Sequence, residues 1–131
     1  MKPKKIWANL GVVDVQRTRK FYSEIGFRSN EGEHKTDTIT SFLVGDSDFI
    51  VHFFRHDALH PAYRESVESL KNTNEIMFTL SAESKEEVTA CADEVVNAGG
   101  TIFSAPAELG GNYYGFGFAD PDGHKWNVFY M

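Results

Sequence analysis

Two amphipathic helix signatures divide these 131 residues into halves with a single rhythm. Each follows a strand-like segment, ends at glycine and is succeeded by three more strands. In the first, Asp14 is an N-cap, and Val15, Thr18, Phe21, Tyr22 and Ile25 recur at helical spacing before Gly26 stops the helix. In the second, Ser84-Lys85-Glu86-Glu87 is a capping box, Val88, Cys91, Ala92 and Val95 form an apolar stripe, and Gly99-Gly100 end it. Strands are expected at 6–13, 27–30, 38–44, 49–54, 75–80, 101–104, 114–119 and 124–130, with Gly45-Asp46 as a hairpin turn. The order is βαβββ, a connection, then βαβββ. Two copies of one supersecondary unit explain this better than one irregular fold. The expected class is therefore α+β: two βαβββ modules, about 5–54 and about 75–131, forming a cupped mixed sheet with helices on its outer face, all within one domain spanning 1–131.

The connection, 55–74, is long for a compact domain. Inside it Pro61 can open a short helix, with Tyr63, Val67 and Leu70 at helical spacing. It reads as a flap over the sheet, or more plainly as a surface crossover between half-domains. His56 and His60 flank Asp57 with metal-pair spacing, but Pro61 argues against a continuous helix there, so both are expected to be solvated flap residues.

Side-chain parity sorts four strands. Ile6, Ala8, Leu10 and Val12; Phe49, Val51 and Phe53; Ile76, Phe78 and Leu80; and Trp126, Val128 and Tyr130 make one apolar or aromatic face, the one the helices should cover. The opposite face gathers Trp7, Asn9, Ile50, His52, Phe54, Glu75, Met77, Thr79, Lys125, Asn127 and Phe129. Aromatic and aliphatic walls with a few polar groups suit a small-molecule cavity, whereas a solvated face would carry more Lys, Glu and Asp. His52 and Glu75 on that face can form an acid–base pair, in which the carboxylate would raise the histidine pKa. The plainer alternative is a hydrogen bond that merely satisfies two buried polar groups.

Composition narrows the partners. A net charge of -6 argues against nucleic acid, which needs a basic footprint. The apolar runs are too short for a membrane span, and no apolar leader core follows the basic start. Cys91, the single cysteine, excludes an internal disulfide; on the apolar stripe it should be buried and inert. Cytoplasmic residence is the default expectation.

The end of the chain is specific. Asp120-Pro121-Asp122-Gly123-His124 forms a turn that feeds the last strand, Pro121 presetting one φ angle and Gly123 releasing the chain; His124 there should be structural. With this turn, Trp126-Asn127, and Val12-Val13-Asp14-Val15 running into Arg19-Lys20-Phe21-Tyr22-Ser23-Glu24-Ile25-Gly26-Phe27, the chain resembles the vicinal oxygen chelate superfamily over nearly its whole length. That superfamily includes glyoxalase I, extradiol dioxygenases, fosfomycin-resistance enzymes and bleomycin-resistance proteins. Trp7-Ala8-Asn9-Leu10 looks like the group described as predicted lactoylglutathione lyases.

The resemblance implies a divalent metal held by four side chains, whose positions fall on Trp7, His52, Glu75 and Asn127. Only His52 and Glu75 are competent ligands: the indole nitrogen of Trp7 is solely a donor, and neutral Asn127 is a weak oxygen ligand. The expectation is thus a degenerate metal site and metal-free binding of a small molecule, with Trp7, Asn9, Ile50, Phe54, Met77, Lys125, Asn127 and Phe129 as ligand-binding residues. The alternative is a glyoxalase-type lyase using zinc or nickel, or using Glu75 and His52 as catalytic residues for proton transfer. Resemblance also implies a homodimer.

Overall fold

Apolar side chains at period 3.6 and period 2 form the elements they promise, in two compact units, Met1–Leu70 and Lys71–Met131. The computed structural model describes residues 1–63 and 76–131. The first unit contains β1 (Trp7–Val12), α1 (Val15–Glu24), β2 (Arg28–Ser29), β3 (Ile39–Val44), β4 (Phe49–Arg55) and α2 (His56–Tyr63). The second contains β5 (Phe78–Ser81), α3 (Lys85–Asn97), β6 (Thr101–Glu108), β7 (Tyr114–Ala119) and β8 (Lys125–Tyr130). Each unit builds its own four-stranded mixed sheet, ordered β1-β4-β3-β2 and β5-β8-β7-β6. In both, the strand before the helix pairs in parallel with the last strand, and the remaining pairs are antiparallel. The fold is α+β, built from two βαβββ modules.

The helices start and stop as their sequences dictate. Asp14 caps α1 by accepting from the Arg17 N–H, and Ser84 caps α3 by accepting from the Glu87 N–H. The Glu87 carboxylate reaches back to the Glu83 N–H, one residue earlier than a standard capping box. At the other ends the chain turns left-handed at Gly26 (φ 87°) and Gly99 (φ 96°), a conformation that glycine adopts without steric cost. The N–H groups of Phe27 and Gly100 then bond back to Tyr22 and Val95 carbonyls, closing a Schellman motif on each helix.

Each helix buries one stripe against its own sheet. In the first unit Tyr22 stacks on Phe53 at 4.5 Å and tilts against Phe42 at 5.6 Å, beside fully buried Val12 and Val51. In the second, Trp126 lies parallel to Phe118 at 6.3 Å and tilted over Phe78 at 4.7 Å, with Val88 and Val95 of α3 also buried. Every such side chain contributes about 1.5–3 kcal/mol by leaving water.

Several expectations need correction. β5 begins at Phe78, so Ile76 and Met77 precede the ladder, and Glu75 lies outside the described residues. β6 runs on to Glu108 through two register shifts; it is an edge strand, where Pro106 removes no ladder bond that the sheet needs. Pro61 does not open a helix but lies inside α2, which is continuous from His56 to Tyr63. The proline removes one intrahelical bond, while the Arg55–Asp57 pair at the helix start and burial of Leu59 favour the turn. Val67, Leu70 and the flap reading of 64–74 lie outside the described residues. Cys91 is half-buried rather than buried, at the margin of the Val88-Ala92-Val95 stripe; burial, with Glu94 and Glu87 nearby, still pushes its thiol pKa up and keeps it unreactive.

Candidate functional site

On the first sheet the register places Trp7 beside Ile50, Asn9 beside His52 and Gly11 beside Phe54 across β1 and β4, with Leu43, Ser41 and Ile39 of β3 opposite the same β4 residues. Cross-strand partners share a face, so Trp7, Asn9, Ile50, His52 and Phe54 stand together, opposite buried Val51 and Phe53. Trp7 is 51% exposed and Asn9 is exposed, whereas Ile50, His52 and Phe54 are half-buried. Phe54 meets the His52 ring edge-on at 5.9 Å.

His52 is the polar centre of this face. Its Nδ1 is buried and has no hydrogen-bond partner among the described residues. Burial pushes its pKa below the ordinary 6.5, so the ring is neutral at physiological pH.

On the second sheet Lys125, Asn127 and Phe129 share a face with Thr79 and Ser81 of β5 and with Ala119, Gly117 and Gly115 of β7. The lack of a side chain at Gly117 is what admits its neighbours: a Cβ there would sit 2.4 Å from the Phe103 ring and 3.2 Å from Asn127 Oδ1. Lys125 Nζ rides over the Phe103 ring at 5.7 Å, and Tyr113 meets Phe129 edge-on at 6.3 Å. Met77 is 49% exposed just ahead of β5.

The turn before β8 is held by a buried carboxylate. Asp120 Oδ1 accepts from the N–H groups of Asp122 and His124 at 3.0 and 2.9 Å, and its Oδ2 lies 2.7 Å from His124 Nδ1. His124 therefore has the structural role expected of it.

A second feature of the first unit is absent from the sequence expectations. A cavity of about 230 Å³ is lined by His52 with Asn30, Glu31, Thr36, Thr40 and Ser41 among others. Its wall is the loop after β2, fastened to α1 by Arg19. That guanidinium donates to both Glu31 oxygens, to Gln16 Oε1 at 2.8 Å, and to the carbonyls of Thr36 and Ile39 at 2.8 and 3.2 Å. Arg19 and Glu31 side chains are each 10% exposed. Burial pushes the Glu31 carboxyl up, but the hydrogen bonds and charge of Arg19 outweigh it, so its pKa falls below the usual range. The signal was readable: Arg19 lies four residues after Val15 and three before Tyr22, on the buried stripe, where a charge must be paired.

The family model described as Glyoxalase/Bleomycin resistance protein/Dioxygenase superfamily matches residues 6–128. This chain belongs to that superfamily. Among solved structures, the glyoxalase-superfamily chain is similar to a hypothetical protein from S. aureus at 27% identity, with a TM-score of 0.85 over 100% of this chain and 96% of that one. A glyoxalase-related enzyme from Fulvimarina pelagi matches at 18% identity and a TM-score of 0.83, over 98% and 89% of the two chains. The fosfomycin resistance protein FosX from Listeria monocytogenes matches at 17% and 0.73, over 100% and 93%. No curated protein sequence matches significantly. The likenesses at 17% and 18% carry the fold alone.

The residues present fit a resident divalent metal poorly. Of the two family ligand positions in the first unit, Trp7 has no lone pair to offer. Among the described residues His52 has no acceptor of the kind that, on a metal-bound histidine, holds the other ring N–H and orients the lone pair. In the second unit Asn127 is a neutral amide and Glu75 lies outside the described residues. Among the described residues no three of His, Cys, Asp or Glu cluster as a metal site.

Proposed function

We propose that this glyoxalase-superfamily protein binds a small molecule without a resident metal, on the face carrying Trp7, Asn9, Ile50, His52 and Phe54; Met77, Lys125, Asn127 and Phe129 are assigned ligand-binding roles within the second unit itself. The observation that carries this reading is Trp7, whose donor-only indole stands across the ladder from Ile50 at a position where the family's metal ligand would fall. Trp7, half in water beside Ile50, supplies stacking surface where a metal ligand would otherwise stand. The protein acts as a homodimer in the cytoplasm in this reading.

The test combines metal analysis with fluorescence. After dialysis against nickel or zinc the protein should retain far less than one equivalent per chain, and ligands found by thermal shift should quench Trp7 emission, an effect absent from Trp7→Phe. Trp7→His, which adds a competent donor, should increase nickel retention. One tightly held equivalent in the unaltered protein would overturn the reading.

One observation favours a second reading, a lyase in which His52 and Glu75 move a proton. Burial keeps His52 neutral near pH 7, and only the neutral ring can act as a base. Full retention of turnover by Glu75→Gln, on any substrate identified, would eliminate it.

A further inference from the structure

The cavity behind the loop after β2 adjoins the face described above, sharing His52 together with Ser41 and Ile39 of β3, the cross-strand partners of His52 and Phe54. Asn30 Nδ2 donates to Ser41 Oγ at 3.1 Å, and the Asn30 N–H donates to the Ser41 carbonyl at 2.9 Å. With its oxygen accepting from Asn30, Ser41 keeps its own O–H to donate, and Asn30 keeps its carbonyl oxygen to accept. His52 stands directly across the ladder from Ser41, and its neutral ring has one donor and one acceptor nitrogen. Donors and acceptors on adjoining walls mirror a carboxamide, whose oxygen takes two hydrogen bonds and whose NH₂ gives them.

Charge points the same way. Among the described residues no lysine or arginine lines the cavity; His34 lines it and the Lys35 charge reaches Glu31 in its wall. The carboxylate in its wall, Glu31, has both oxygens engaged by Arg19, which leaves little attraction for an ammonium ion. The volume, about 230 Å³, equals roughly eight waters' share of the liquid and lies below the range of drug-sized sites.

We propose that this cavity is a binding site for a small neutral molecule, or the end of a larger one, bearing a carboxamide or urea-like group that hydrogen-bonds to Asn30, Ser41 and His52. The site extends the face of the proposed function, sharing His52 with it, and adds walls of its own in Asn30 and the loop after β2.

Three probes of matched size test it: propionamide, propionate and propylammonium, each titrated into the full protein with ¹⁵N-labelled histidine. Propionamide should shift the His52 ring nitrogens and raise the melting temperature, while propionate and propylammonium should do neither at equal concentration. Ser41→Ala should weaken propionamide binding about fivefold to tenfold, the loss of one neutral hydrogen bond. Asn30→Asp, at an exposed backbone position, should reverse the preference towards propylammonium and remains informative if Ser41→Ala melts early. Trp7→Ala should leave the propionamide response unaltered. Equal binding of all three probes, a silent His52, or no reversal in Asn30→Asp would overturn the proposal. A silent His52 with Trp7 quenching retained by open-face ligands sinks only the cavity; the converse sinks only the open-face reading.

Discussion

Arg19 stands on the buried stripe of α1, and its donors are taken up by Glu31, Gln16 and the carbonyls of Thr36 and Ile39. Removing one member of a mostly buried pair strands the other, so Arg19→Met should cost about 3 kcal/mol in urea unfolding. Arg19→Met with Glu31→Leu should recover much of that loss, because no charge is then left unpaired. The Glu31 pKa is lowered in the folded state, so the stability from its charge is fully present above the ordinary carboxylate value of 4.5 and lost as the pH falls through the lower folded value. Unfolding measured from neutral pH down to the acid range should show the gap between the unaltered protein and Glu31→Gln closing in that window. His52 acts in the same sense, at higher pH. Its folded pKa lies below 6.5, so between the two values the unfolded chain binds more protons and stability rises with pH. His52→Gln should remove this acid sensitivity just below pH 6.5. Parity alone put His52 on the open face. The absence of a partner at Nδ1 could not be read from spacing, because it depends on what β3 and the loop after β2 bring alongside.

At the scale of elements, local signals performed well where the deciding interactions are local. Ser84 and Asp14 cap the helices they precede, and Gly26 and Gly99 end them, because those bonds span only a few residues. Ser84→Ala should therefore cost about 1 kcal/mol, read from chemical unfolding. Signals failed where burial decided the outcome. Pro61 suggested a helix boundary, yet α2 runs through it, with Leu59 buried. In β7 the alternation of Gly115 and Gly117 with Phe116 and Phe118 gave no hint of its reason, which is the approach of Phe103, Phe129 and Asn127 from the other face. Gly117→Ala should displace the half-exposed Phe103 ring from Lys125 and destabilise the protein by about 1 kcal/mol.

At the scale of the whole molecule, the repeat is the organising fact: both units have the same strand order and the same mixture of one parallel and two antiparallel pairings. Among the described residues no helix is long and apolar enough to cross a membrane. Several large apolar side chains remain exposed, including Ile6, Ile76 and Phe103. This accords with the proposed homodimer, for which sedimentation should report twice the 14.8 kDa chain mass. By itself the sequence determined the α+β class, the doubled βαβββ order, the ends of α1 and α3 and the side-chain alternation along β1, β4 and β8. Those follow from backbone periodicity and from capping bonds between near neighbours. Only the tertiary structure decided that β1 pairs in parallel with β4, that Arg19 fastens a loop over a polar cavity, and that burial lowers the His52 pKa. These depend on contacts between residues far apart in the chain, whose burial and hydrogen bonding no local pattern encodes.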